Sequence, residues 1–331
     1  MTTTTAPAAP ARPRRDRLRP HGLPATMLIL HRSALWFWLL LVAGTAGALL
    51  WAYGFGLDAA FAEFTRSGCH NGGVRLACEY SGAGGSPLLG TTVSVSGGLI
   101  NLVPLLTAAW AGGALISREL ENGTARLAWT QSVSPARWLA AKLAVPGALL
   151  VTGTVLLTFL HRLMWDKHAE LWGSMGSWEW HQSTSYVSNG PLATAYALLG
   201  LAVGALVGLL VRRSLPALGI AAVSLLTLMS VLGDLRPRLW PVETLTRETG
   251  YPQVTGMLAQ DGVITSSGSR VPDPYCTDDA CRAARDVVGF YRDYHPASHF
   301  WPLQLMETGI VLVLAAAATA AAFWLLRRRT A

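Results

Sequence analysis

Hydrophobic positions in this chain gather in long unbroken runs, without the alternating or 3.6-residue stripes of a soluble fold. Six runs stand out, at 34–53, 97–116, 143–160, 191–211, 215–233 and 308–326, and none contains Asp, Glu, Lys or Arg. A helix rising about 1.5 Å per residue needs about 20 residues to cross about 30 Å of hydrocarbon. Each run meets that length, so the pattern predicts an all-α polytopic membrane protein with six transmembrane helices. Ahead of the first run, 22–33 carries Leu23, Met27, Leu28 and Leu30 beside His31 and Arg32, the pattern of an N-terminal interfacial helix. Trp36 and Trp38 at one end of the first run, with Trp51 and Tyr53 at the other, fit aromatic belts at two headgroup levels.

The polar stretches set the organisation. Residues 1–21 are mostly Thr, Ala, Pro and Arg without apolar periodicity, read as a disordered basic arm. The block 22–233 holds the interfacial helix and the first five spans, and 304–331 the sixth span and a basic tail. Between them, 234–303 is an extracytoplasmic loop or small cap, rich in Pro, Gly and charge and with no clear period, so its secondary structure stays open. Only Arg212, Arg213 and Ser214 join the fourth and fifth spans, which makes them an antiparallel hairpin.

Composition supports the membrane reading. Of 331 residues, 51% are hydrophobic and 14% charged, against about a quarter charged in soluble domains. The net charge of +7 does not point to nucleic acid, because the basic residues collect in the arm, at span ends and in the tail, where they meet anionic lipid headgroups. With the N-terminus inside, 15 cations fall on the cytoplasmic side and 11 outside, seven of those in one long loop that the positive-inside rule largely ignores. Both termini are therefore expected in the cytoplasm, and a chain with 24 Arg and 2 Lys points to a G- and C-rich bacterial genome and hence the bacterial plasma membrane. All four cysteines, Cys69, Cys78, Cys276 and Cys281, fall in outer segments where disulfides persist. The local pairs, Cys69 with Cys78 and Cys276 with Cys281, are the simplest of three pairings, and the spacings do not match a paired C-x-x-C zinc site.

The most informative stretch joins the second and third spans. Arg118 to Glu121 continues one helix, Asn122-Gly123 stops it, and Thr124 is the expected N-cap of a short lateral helix at 124–131. Ser134-Pro135 then starts the third span. Leu127 and Trp129 are the expected apolar anchors of this helix, with Glu121 and Arg126 as flanking charge.

Here the chain resembles the membrane (permease) subunits of bacterial ABC-2 type transporters. The resemblance rests on Arg118-Glu119, Glu121-Asn122-Gly123-Thr124, Leu127, Ser134-Pro135-Ala136-Arg137 and Lys142-Leu143 in that order. A second match is His295-Pro296-Ala297-Ser298, Phe300-Trp301-Pro302 and Glu307-Thr308-Gly309-Ile310, leading to Arg327-Arg328-Arg329. It implies a homodimeric or pseudo-dimeric exporter core, powered by a separate ABC ATPase subunit that the first cytoplasmic loop grips as a coupling helix. Arg118, Glu119, Glu121, Gly123, Thr124, Leu127, Trp129 and Arg137 are then the coupling residues. No cofactor is expected in this chain; ATP and Mg would enter through the partner, because the only lysines, Lys142 and Lys167, stand in no P-loop. A basic, lipid-facing connector is the plainer reading of the same loop.

Within the spans, Gly200, Gly204 and Gly208 repeat every four residues as a face for close helix packing. Asn101, near Pro104, is a candidate for lining a pathway, against a satisfied interhelical hydrogen bond. His161, His168 and His181, near Asp166 and Glu170, lack an H-E-x-x-H arrangement and read as solvated surface groups. Two other functions stay open: an ATP-independent secondary transporter, for which no inverted repeat is evident, and a membrane-anchored sensor or enzyme acting through its outer loops, for which no catalytic constellation is evident.

Overall fold

The computed structural model describes residues 29–66, 87–130, 133–172 and 178–330. Its frame is six helices long and apolar enough to cross a membrane: Arg32–Glu63, Leu88–Glu121, Pro135–Leu171, Leu192–Val211, Ser214–Arg238 and Ala297–Thr330. Leu- and Ala-rich stretches form helices readily, and in lipid a helix satisfies its own backbone. These are the first to sixth spans below. The arm and most of the expected interfacial helix lie outside the described residues, as do Cys69 and Cys78.

The fourth span is the axis of the bundle, with Ala193, Tyr196, Leu199, Ala202 and Val203 all buried among the second, third, fifth and sixth. The first span packs on the third and second and leaves Trp36, Phe37, Leu40 and Phe55 exposed, the lipid-facing surface of an outer helix. Trp38 stands apart from the expected belt: its indole Nε1 donates to the Leu149 carbonyl at 3.2 Å and stitches the first span to the third.

Close approach in the centre depends on glycine. A Cβ added at Gly200 would lie 2.5 Å from the Pro104 carbonyl oxygen, and one at Gly204 2.6 Å from that of Ala108. One at Gly208 would lie 2.9 Å from Ile116 Cβ. The second span is widened into a π-helical segment over Ala111–Ser117. There Gly112 and Gly113 lie against the fifth span, a Cβ at Gly112 falling 2.8 Å from the Ala217 carbonyl oxygen. A second π segment, Ala52–Gly56, interrupts the first span.

The third span runs well past its apolar run, to Leu171. This overturns the solvated reading of two histidines. His161 and His168 are both buried, because the continued helix carries them under other structure. His161 Nδ1 pairs with Asn189 Oδ1 at 2.7 Å, and the His168 ring stacks on Trp178 with centroids 3.6 Å apart. Between the third and fourth spans a short helix, Ser183–Ser188, is buried at Tyr186, Val187 and Ser188.

The segment whose secondary structure the sequence left open is a four-stranded antiparallel sheet. β1 (Glu243–Arg247), β2 (Met257–Thr265), β3 (Arg270–Val271) and β4 (Val287–His295) stand in the order β1-β4-β2-β3. Met257, Val263, Phe290 and Tyr291 are its buried apolar residues, and Tyr251 meets Phe290 edge-on with centroids 5.0 Å apart. A helical turn, Asp279–Ala284, is tied back by the Cys276–Cys281 disulfide and N-capped by Asp278, which accepts from the Cys281 amide at 2.7 Å. The sheet is rooted in the bundle at His295, whose Nε2 lies 2.9 Å from the Pro237 carbonyl at the exit of the fifth span.

Candidate coupling site

At the end of the bundle opposite the sheet, the second span leaves its π segment as one helical turn, Arg118–Glu121. Gly123 then reverses the chain with φ 73°, a left-handed conformation that favours glycine. The short helix Thr124–Thr130 follows. Its first bond acceptor is the Gly123 carbonyl, which takes the Arg126 and Leu127 amides at 3.1 and 3.3 Å. Thr124 is therefore not the side-chain cap expected of it: its hydroxyl donates backward to the Glu119 carbonyl at 3.2 Å. Ser134 does cap the third span, its Oγ accepting from the Arg137 amide at 3.4 Å.

Two carboxylates hold this turn to the bundle. Glu119 Oε1 accepts from Lys142 Nζ at 2.6 Å and its Oε2 from Trp138 Nε1 at 3.1 Å, while Lys142 is wholly buried. A lysine buried near the end of a span is tolerated when paired and hydrogen-bonded. Glu121 Oε2 accepts from the Ser214 amide at 2.9 Å, capping the N-terminus of the fifth span, where the helix dipole favours negative charge. Ser117 Oγ donates to the Gly208 carbonyl at 3.3 Å, and Arg329 donates to the Leu209 carbonyl. The loop is thus tied to the third and fifth spans, while Ser117 and Arg329 join the second and sixth spans to the end of the fourth.

Of the eight coupling residues expected from the sequence, the structure separates those facing inward from those facing outward. Glu119 and Glu121 make the inward ties, and Gly123 makes the turn. Trp129 is half-buried and meets the buried Trp138 edge-on at 5.7 Å, so it supports the helix from behind. Arg118, Glu121, Thr124, Leu127 and Arg137 are exposed, as is Arg126, and Leu127, within the short helix, is 60% exposed. Beside Arg126 of this helix, Arg212, itself in the left-handed region at φ 59°, is crowded by like charge. Burial, and then Arg329 and Arg126, push its guanidinium below the usual arginine value, though it stays charged. The result is a short helix, tied at its start to the third and fifth spans, that exposes Leu127 beside Arg126, with Arg212 nearby.

A sequence model of the family described as ABC-2 membrane transporter related matches residues 39–236. The chain belongs to that family. The match spans more than half of the chain, including the glycine ridge of the fourth span and the whole loop from Arg118 to Arg137. No curated protein and no solved structure matches the chain. This ABC-2 family chain is thus a multi-pass membrane protein of the permease type, with the Cys276–Cys281 pairing present as expected.

The remaining site candidates of this ABC-2 family member lie elsewhere. Asn101 Nδ2 faces three acceptors, the Gly97 carbonyl at 2.8 Å, the Thr184 carbonyl at 3.1 Å and Ser188 Oγ at 2.9 Å, and so clamps the Ser183–Ser188 helix to the second span. Among the described residues, no three His, Cys, Asp or Glu side chains are placed to hold a metal ion.

Sequence reasoning missed a buried ionic knot at the sheet end. Glu307, in the sixth span, is fully buried and accepts from Arg236 Nε at 2.7 Å and from the terminal guanidinium nitrogen at 3.1 Å. Tyr196 of the fourth span donates to the same carboxylate at 2.8 Å, and Arg236 lies 4.0 Å from the Tyr186 ring centroid. Gln304 Nε2 donates to the Tyr186 carbonyl at 2.5 Å. The available signal was positional: Gln304 and Glu307 stand four and seven residues into a helix that begins at Phe300, before the uncharged run. An ionisable group there needs a partner from another span.

Proposed function

We propose that this chain is the permease subunit of an ATP-driven exporter in the bacterial plasma membrane, with both termini in the cytoplasm. It works as a homodimer or pseudo-dimer, with MgATP bound and hydrolysed by a separate ABC ATPase subunit. One observation carries the reading: the Thr124–Thr130 helix exposes Leu127 on a base whose carboxylates are tied to the third and fifth spans. Leu127 is the apolar contact that enters a pocket on the ATPase, while Arg118, Arg126 and Arg137 face its acidic rim. Because Glu119 and Glu121 tie the short helix to the third and fifth spans, a movement imposed on it is passed to the helices. The glycine ridge keeps the second and fourth spans moving together, and Asn101 holds the Ser183–Ser188 helix with them beside the pathway.

The test is co-purification with a candidate ATPase subunit and titration of ATPase binding. Leu127→Asp should weaken docking roughly thirtyfold, the value of about 2 kcal/mol for losing an anchor, while leaving membrane insertion unchanged. Parent-like docking by this variant would return the loop to a lipid-facing connector.

A further inference from the structure

The sheet has two very different edges. β3 closes one of them with two residues. β1 stands at the other, bonded only to β4 among the described residues and exposed at all five of its positions. Edge strands in natural proteins are usually blunted by shortness, proline, lysine or a bulge. β1 has no proline, lysine or bulge, and its two charges, Glu243 and Arg247, are of opposite sign. Its pairing with β4 runs without a break from Glu243↔Tyr294 to Arg247↔Phe290.

Its sequence is Glu243-Thr244-Leu245-Thr246-Arg247. Read antiparallel against itself about Leu245, this strand is self-complementary. Glu243 falls opposite Arg247 of the partner subunit, Thr244 opposite the partner's Thr246, Leu245 opposite its own equivalent, and Arg247 opposite the partner's Glu243. Directly opposed side chains interact most strongly in an antiparallel pair, opposite charges and Thr–Thr pairs being favourable and like charges unfavourable. A two-fold axis requires this kind of reciprocal match.

We propose that β1 is an interface between two copies of this chain, pairing edge to edge so that the two sheets form one eight-stranded sheet. The inference rests on the dimeric reading of the permease. A five-residue edge buries far less than the roughly 1,200 Å² of a stable interface in water. It therefore acts where the spans already hold two copies in one membrane, which raises their effective concentration.

The experiment uses the full chain in native membranes. Opposed Cβ atoms lie about 4.5–5.5 Å apart, near the reach of a disulfide. Leu245→Cys should then give an oxidant-dependent dimer band that the parent, with its native cysteines, does not give. Adding E243R sets like charges opposite each other twice and should lower the cross-linking equilibrium roughly tenfold. Adding R247E to that pair should restore it. The restoration separates pairing from folding, because R247E cannot return the Glu243 contacts with Tyr294 and His299 in the same chain. Pull-down between two differently tagged copies reports dimerisation independently. Tagged copies that associate while L245C stays uncrosslinked would overturn the β1 pairing and leave the dimer standing. Failure of the copies to associate at all would overturn both.

Discussion

Glu119 and Lys142 meet at 2.6 Å across the loop that joins the second and third spans, with the lysine wholly buried and the carboxylate nearly so. Twenty-three positions apart, they tie the turn ahead of the candidate coupling helix to the third span. Removing one partner leaves a buried charge uncompensated. Lys142→Ala should destabilise the protein by about 3 kcal/mol, read as a lower midpoint in denaturant. Replacing both, as E119Q/K142M, should recover most of that loss, and equal damage from the single and double variants would refute a paired site.

Trp129 divides support from docking. Its ring packs on Trp138, so Trp129→Ala should cost about 2 kcal/mol of stability by removing an aromatic contact and its buried area. ATPase affinity, measured below the unfolding range, should fall less than in the Leu127→Asp variant. The opposite order would place Trp129 on the docking surface.

The glycine ridge makes a position-specific prediction. Gly204→Ala drives a methyl group against the Ala108 carbonyl and Ala111, and should cost about 1–3 kcal/mol. Gly219→Ala, on the exposed side of the fifth span, meets nothing within 4 Å and should be neutral or slightly stabilising. Thermal midpoints in one detergent settle the comparison.

At the sheet end, Glu307→Ala strands Arg236 without its carboxylate and should destabilise by about 3–5 kcal/mol. Tyr196→Phe, which removes one hydrogen bond to that carboxylate, should cost about 1–2 kcal/mol. If both variants melt like the parent, the knot contributes nothing to stability.

The Cys276–Cys281 disulfide closes a short segment, and its loss through the double serine variant should cost roughly 2 kcal/mol, confined to the sheet. Labelling checks sidedness: an impermeant maleimide applied outside intact cells should reach Cys276 and Cys281 only after reduction. Labelling of either thiol from the cytoplasmic side alone would invert the topology.

The six spans were legible because excluding charge from hydrocarbon is a property of each run by itself, needing no knowledge of neighbours. The loop was legible for a similar reason: a glycine stop, a short helix and a Ser-Pro start are local signals. The roles of its residues were not, because the capping bond of the exposed Glu121 needs Ser214, and Trp129 reads as outward-facing until Trp138 stands beside it. Asn101 shows the same limit, since its three acceptors include the Thr184 carbonyl and Ser188 Oγ, more than eighty positions away.

Tertiary structure alone decided the rest. The third helix outruns its apolar run because Trp178 and Asn189 cover His168 and His161, turning polar residues that look solvated into buried ones. The sheet of 243–295 was hidden because adjacent polar residues break any alternation in its two long strands, Gln260 with Asp261 in β2 and Arg292 with Asp293 in β4. Arg236 and Glu307 lie seventy-one positions apart, and only the packing of the fifth and sixth spans against the fourth, which adds Tyr196 to the pair, makes either charge affordable in the bundle. Hydrophobic length is a property of single segments, so the sequence alone determines the spans; partnership between distant polar groups is a property of packing, and only the folded chain determines it.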